Sequence, residues 1–166
     1  MGNAALDATL ERLAHARTLP EVQEIVRKEA RALLRADGAT FVLRDRQQCF
    51  YADEDAMSPL WKGQRFPIEH CISGWAMLNR RPAVVPDIEQ DDRIPIEAYR
   101  PTFVKSLVMV PIRTAAPVGA IGAYWARPHE ASATELDLLT ALAAVVAETL
   151  ERVGLEHAPY APSRIG

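Results

Sequence analysis

Residues 106–125 read SLVMVPIRTAAPVGAIGAYW, two apolar runs joined by a short turn. Ser106–Ile112 is a strongly apolar strand. Residues 114–117 reverse the chain, and residues 118–125 return as a second strand, in which Gly119 and Gly122 mark a bulge or a close approach of another backbone. Immediately C-terminal, Ser132 and Glu135 have the spacing of a capping box. The helix they open carries Leu136, Leu139, Leu142, Ala143, Val146, Leu150 and Val153 on one stripe. Leu138 and Val145 widen that stripe beyond what one sheet face needs, and Gly154 stops the helix.

Toward the N-terminus the same logic applies. Residues 83–85 (AVV) form a short strand, preceded by a short helix over residues 72–79 whose apolar members are Ile72, Trp75, Ala76 and Leu78. Residues 87–102 hold Pro95 and Pro101, so they read as a loop with one helical turn near residues 96–99. Residues 39–43 (ATFVL) and 48–51 (QCFY) flank a polar turn and read as a hairpin. Residues 53–64 are acidic and irregular, with Pro59 and Gly63 as breakers, and read as a loop. Residues 18–34 begin with Thr18, Pro20 and Glu21, a second capping box, and continue with Val22, Ile25, Val26, Leu33 and Leu34 at helical spacing. Leu6, Leu10 and Leu13 mark a first helix. Helices at both ends with runs of strands between them predict an α+β domain with an antiparallel sheet. Terminal helices cover one face and the middle loops the other, leaving a small-ligand cavity between sheet and loops.

The 166 residues suit one domain, and at this size folding buries roughly 70% of the unfolded surface, so one core suffices without staples. A net charge of −3, with arginines scattered among acids, favours solubility and gives no nucleic-acid footprint. Cys49 and Cys71 are the only cysteines. With no export signal at the N-terminus, and Leu6 where an acylation motif needs Ser or Thr, the expectation is reduced thiols in a cytoplasm without a lipid anchor. No apolar run is long enough to span a bilayer. The expected organisation is an N-terminal helix over residues 1–17, a sensory domain over 18–154 and a flexible tail over 155–166.

Several segments together resemble the GAF family of small-molecule sensing domains. They are Ile72-Ser73-Gly74-Trp75-Ala76, Val84-Val85-Pro86-Asp87-Ile88, Asp91-Asp92-Arg93, Ser106–Ile112 and Val118-Gly119-Ala120-Ile121-Gly122. The string from Tyr99 to Leu107, YRPTFVKSL, is similar to GAF domains joined to bacterial sensor histidine kinases, of which this chain would be a free-standing version. The resemblance implies a sheet of about six antiparallel strands with helices on both sides, dimerisation through the terminal helices, and signalling to a sensor kinase or another signalling protein in a bacterial two-component system. It names no cofactor.

Three activities of that family depart from this sequence. Bilin-attaching members carry a cysteine followed by histidine, whereas here His70 precedes Cys71. Free methionine sulfoxide reductases place a cysteine before the glycine matched by Gly74, where this chain has Ser73, and a further cysteine in a loop where residues 87–105 have none. Cyclic-nucleotide binders carry an Asn-Lys pair that is missing here.

Cys71, beside His70 at a helix start, is either a reactive thiol or a small buried hydrophobe, and the second reading is favoured. A redox pair with Cys49 is the less favoured use of both. Among Asp87, Asp91, Asp92 and Arg93, the preferred reading is that Asp87 caps the loop and pairs with Arg93, and no metal site is expected. Tyr99, Arg100, Thr102 and Lys105 form a constellation able to hold an anionic or carbonyl-bearing ligand, with Phe103 as an apolar wall; a solvated loop surface explains them equally well. Trp75 and Trp125 are expected in the core, with Trp75 also near the pocket, and Trp61 as a lid. The pocket candidates are therefore Trp61, Cys71, Trp75, Asp87, Tyr99, Arg100, Thr102, Phe103 and Lys105. The expected function is non-enzymatic small-molecule sensing; the alternative is a thiol redox sensor or sulfoxide reductase using Cys71.

Overall fold

Every residue of the two strands at 106–112 and 119–125 is buried in the computed structural model, which describes residues 3–154. A sheet with no wet face must be covered on both sides, and that requirement organises the fold. Among the described residues the helices are α1 (Ala4–His15), α2 (Leu19–Leu33), α3 (Ile72–Asn79), α4 (Ile96–Tyr99) and α5 (Ala133–Val153). The strands are β1 (Gly38–Asp45), β2 (Gln48–Ala56), β3 (Arg65–Pro67), β4 (Ala83–Val85), β5 (Ser106–Ile112) and β6 (Gly119–Trp125). They form one antiparallel sheet in the order β3-β2-β1-β6-β5-β4.

One face carries Phe41, Leu43, Phe50, Val108, Val110, Ile121 and Trp125 against Val22, Val26, Leu139, Leu142 and Val146 of α2 and α5. Burying each such Val, Leu or Ile contributes roughly 1.5–3 kcal/mol. The opposite face carries Val42, Cys49, Tyr51, Leu107, Met109 and Tyr124 beneath α3, α4 and the loops.

The helix ends follow the sequence signals with one change. At α5 both arms of the capping box form: the Glu135 amide donates to Ser132 Oγ (3.0 Å) and the Ser132 amide to Glu135 Oε1 (2.8 Å). At α2 the Glu21 amide donates to Thr18 Oγ1, but the returning carboxylate accepts from the Arg17 amide instead of that of Thr18. Arg152 near the end of α5 donates to the carbonyls of Ala16 (2.7 Å) and Leu13 (3.0 Å), capping α1 and binding the two terminal helices together. Leu138 and Val145, which broaden the stripe of α5, pack partly buried against this same core.

The hairpin is longer than its apolar residues suggest. β2 runs on through Asp53, Glu54 and Asp55, because Asp53 and Asp55 face arginines of α2: Arg27 lies 3.1 Å from Asp53 and Arg31 lies 3.5 Å from Asp55. Opposite Phe41 and Val42 the register steps from Asp53 to Tyr51, so Ala52 is a bulge residue. The extra residue resets the alternation: Tyr51 and Glu54 face the loops while Asp53 and Asp55 face α2. β3, a three-residue edge strand, has no periodicity to announce it. In α3 Met77 is buried (1% exposed) together with Ile72 and Ala76, and Leu78 is outside (51%). Gly74 is why α3 lies so close: a Cβ there would sit 1.7 Å from the Ile68 carbonyl oxygen. Arg80 ends α3 in the left-handed region (φ 55°), with the Arg81 amide reaching Ala76 O, a geometry glycine adopts more readily. The expected tail over residues 155–166 lies outside the described residues.

Two substitutions in this turn of chain have opposite expected outcomes. Gly74→Ala must shift backbone and should lower stability by about 1–3 kcal/mol or more. Arg80→Gly should raise it by about 0.5–1 kcal/mol by relieving the left-handed conformation. Chemical denaturation of both variants reads the pair; a neutral Gly74→Ala would contradict the close approach.

Candidate functional site

The bulge in β2 turns Tyr51 toward the loops, and Tyr124 of β6 stands beside it. Trp61, from the connection between β2 and β3, enters the space between them. Its ring meets Tyr51 at 5.6 Å (68° between planes), Tyr124 at 5.5 Å (61°) and Tyr99 of α4 at 4.7 Å (56°). Phe66 of β3 completes the group, edge-on to Tyr51 at 5.4 Å. Each such aromatic pair is worth about 0.5–1.5 kcal/mol beyond its burial. The indole N–H donates to the Ala98 carbonyl (3.1 Å), and only 5% of Trp61 is exposed. What is left is a cavity of about 10 Å³ lined by Tyr51, Trp61, Phe66, Cys71, Pro95, Ala98 and Tyr99, at the lower limit for a single water. Trp61 is thus less a cover over a pocket than its occupant.

Two hydroxyl pairs border this aromatic group. Tyr124 and Thr40 share a hydrogen bond of 2.8 Å, and Tyr51 and Ser73 one of 3.0 Å. Gly122 makes room for the first, since a Cβ there would lie 2.7 Å from the Tyr124 hydroxyl. Burial pushes the Tyr51, Tyr99 and Tyr124 phenols up from their ordinary range, so all three remain protonated donors.

Glu54 holds Trp61 in place. Its carboxylate accepts from the backbone amides of Leu60 (2.9 Å), Trp61 (2.9 Å) and Lys62 (2.8 Å). Charge-assisted bonds of this kind are roughly twice as strong as neutral ones. Lys62 also reaches Asp53 at 3.1 Å. The sequence contains no local signature for this nest: the carboxylate sits on a strand and its donors lie six to eight residues on.

Cys71 is the N-cap residue of α3 and borders the cavity. It receives the Ser73 hydroxyl at 3.4 Å and meets the thiol of Cys49, and the hydrogen bond between the two sulfurs, with help from Ser73 and the Gly74 amide, lowers the Cys71 thiol to about 7 against the effect of burial. That hydrogen bond and burial push the Cys49 thiol up.

The other sequence candidates are dispersed. Trp75 is half-buried, packed against the edge of the loop-side core, and its ring is faced by Arg93 (4.4 Å) and Arg81 (5.2 Å) in a cation–π arrangement. Asp87 accepts from the Glu89 amide (3.0 Å) and caps a short turn. Its expected partner Arg93 instead binds Asp91 through two bonds of 2.9 and 2.6 Å, because the two residues share one tight turn; the arginine holds the Asp91 carboxyl below its usual range. Arg100 is exposed and lies 3.8 Å from Glu97, and Lys105 is exposed. Thr102 donates to Tyr99 O (2.7 Å) and accepts from the Val104 amide, shaping the turn after α4. Phe103 is half-buried beside the loop-side core. Trp125 is in the opposite core, its ring tilted against that of His129. Among the described residues, no group of three or more His, Cys, Asp or Glu is placed to hold a metal, and no helix is long and apolar enough to cross a membrane.

A central antiparallel sheet thus has the terminal helices behind it and a loop-lined compartment in front. A family model described as GAF domain matches residues 16–151, and the chain belongs to that family. Solved structures agree on the fold. The GAF domain of an Acinetobacter phosphoenolpyruvate-protein phosphotransferase superimposes with a TM-score of 0.79 at 14% identity, covering 95% of this chain and 98% of that one. A free methionine-R-sulfoxide reductase from Neisseria meningitidis, solved in complex with its substrate, gives 0.77 at 16% identity over 92% and 93%. The chromophore-binding domain of an unusual bacteriophytochrome from R. palustris gives 0.76 at 14% identity, with 90% of this chain and 61% of that one covered. No curated protein sequence matches the chain significantly.

Removing the Glu54 carboxylate should free the loop and its indole. Glu54→Ala is expected to lower stability by about 1–3 kcal/mol and to speed hydrogen exchange of the Leu60, Trp61 and Lys62 amides, with Glu54→Gln intermediate because one acceptor oxygen remains. Unchanged exchange at these amides would show that the carboxylate does not hold the loop.

Proposed function

We propose that this domain is a non-catalytic regulatory sensor that accepts a planar, uncharged aromatic small molecule in the compartment now filled by the Trp61 indole. The observation that carries this reading is the occupied aromatic compartment itself. An incoming ring would inherit the edge-to-face contacts with Tyr51 and Tyr124 and the tilted contact with Tyr99, so one ring replaces another with little change in apolar burial. Discrimination would come from hydrogen bonds to the Tyr51–Ser73 and Tyr124–Thr40 pairs. The cavity lining carries no cation, and Arg100 and Lys105 are exposed, so an anionic ligand is disfavoured.

A route from compartment to helices is built into β2. Glu54 holds the Trp61 loop, while its neighbours Asp53 and Asp55 hold Arg27 and Arg31 of α2. Glu29 of α2 accepts from Thr9 of α1 (2.9 Å), and α1 is held by Arg152 of α5. Releasing Trp61 would therefore perturb one strand that α2 grips from the other side. A ligand needs to favour one state by about 1–3 kcal/mol for useful signalling. The same reading has the outer faces of α1 and α5, which flank a groove lined by Leu6, Leu138 and Ala141, joining two copies in a bacterial cytoplasm and presenting them to a signalling protein such as a sensor kinase.

Native mass spectrometry of freshly expressed protein, followed by thermal shifts with a panel of planar aromatic metabolites, tests the reading. A retained aromatic ligand, or a saturable stabilisation that Trp61→Phe alters, is expected, and the same spectra report monomer or dimer. Stabilisation by anionic, non-aromatic metabolites alone would overturn it.

A further inference from the structure

Both cysteines of the chain are free and lie in the loop-side core. Cys49 pairs with Phe66 across β2 and β3. Beyond β3, the turn Ile68–His70 folds the chain back, so that Cys71 arrives at the start of α3 with its sulfur against the carbonyl of Pro67, the β3 residue paired with Gln48 next to Cys49, and the two thiols act on one another. The two environments differ. Cys49 is fully buried. Cys71 borders the cavity and lies against the Ser73 hydroxyl (3.4 Å) and the Pro67 carbonyl (3.5 Å). Its thiol titrates near pH 7, whereas that of Cys49 is raised, so one sulfur is available as a nucleophile while its neighbour stays protonated.

We propose that Cys49 and Cys71 are a hydroperoxide-responsive dithiol that closes to an intramolecular disulfide between β2 and the start of α3. The Cys71 thiolate attacks the terminal oxygen of a hydroperoxide, ROOH. The S–O bond forms, the O–O bond breaks, and RO⁻ takes a proton and leaves as ROH. Cys71 is thereby oxidised by two electrons to the sulfenic acid. The Cys49 sulfur then attacks that sulfur; the S–S bond forms, the S–O bond breaks, and the hydroxide leaves with the Cys49 proton as water. In sum, two thiols and ROOH give a disulfide, ROH and water. Cys71 is buried and lines the same cavity as the buried Trp61 and Tyr99, so the peroxide arrives through opening of the compartment. This activity rests on the thiol geometry and does not require an aromatic ligand.

The test is a thiol census of the full chain before and after stoichiometric hydrogen peroxide. The protein is denatured, treated with N-ethylmaleimide, and measured by intact mass and peptide mapping. Expected are loss of both maleimide adducts, a Cys49–Cys71 linked peptide, monomeric protein on a non-reducing gel, and recovery of both adducts with dithiothreitol. The initial rate should rise with pH through about 7. Cys49→Ser should stop at a sulfenic acid that dimedone traps, and Cys71→Ser should react slowly. Retention of both adducts, oxidation of wild-type Cys71 onward to the sulfinic acid, or purely intermolecular disulfides would overturn the proposal. The wild-type map decides even where a variant fails to fold.

Discussion

Three backbone N–H groups on one carboxylate hold an indole inside this protein. Glu54 receives the amides of Leu60, Trp61 and Lys62, and the loop so fixed delivers Trp61 among Tyr51, Tyr99 and Tyr124. Glu54 can do this because the bulge at Ala52 turns it toward the loops while Asp53 and Asp55 remain on the helix side. One irregularity in one strand therefore decides what fills the compartment and which helix is tied to it.

Much of the fold is legible in the sequence because it rests on apolar periodicity and caps. Ser106–Ile112, the capping box at Ser132 and Glu135, and the short α3 all follow from local patterns. The acidic end of β2 and the edge strand β3 do not. Asp53 and Asp55 look like loop residues until the arginines of α2, over twenty positions away, are seen to pair with them. For the site, Trp61, Cys71 and Tyr99 could be found as unusual residues in breaker-rich segments, and they do meet at one cavity. Glu54, Tyr51 and Tyr124 could not, since their importance comes from strand register and from amides that no spacing rule connects to them. Arg100 and Lys105 show the converse. Their chemistry suits anion binding, yet the backbone of the turn after α4 leaves both side chains in solvent.

Membership of the GAF family fixes the architecture, and the similar structures range from the GAF domain of a phosphotransferase to a sulfoxide reductase and a bacteriophytochrome. At 14–16% identity those likenesses concern the fold. The compartment of this chain is walled by aromatic rings and bordered by protonated hydroxyls, with the Cys71 thiol in its lining.

The central claim is that the compartment holds an aromatic ring which another ring can replace, and rescue of Trp61→Ala by free indole tests it most directly. Truncation should cost about 3–5 kcal/mol and leave a cavity with the shape of the lost ring. Indole should then bind saturably and restore stability in proportion to RT ln(1 + [L]/Kd), while wild-type protein, still plugged, responds much less. If indole leaves the variant's unfolding midpoint unchanged, or stabilises variant and wild type equally, the compartment does not accept a replacement ring and the account fails.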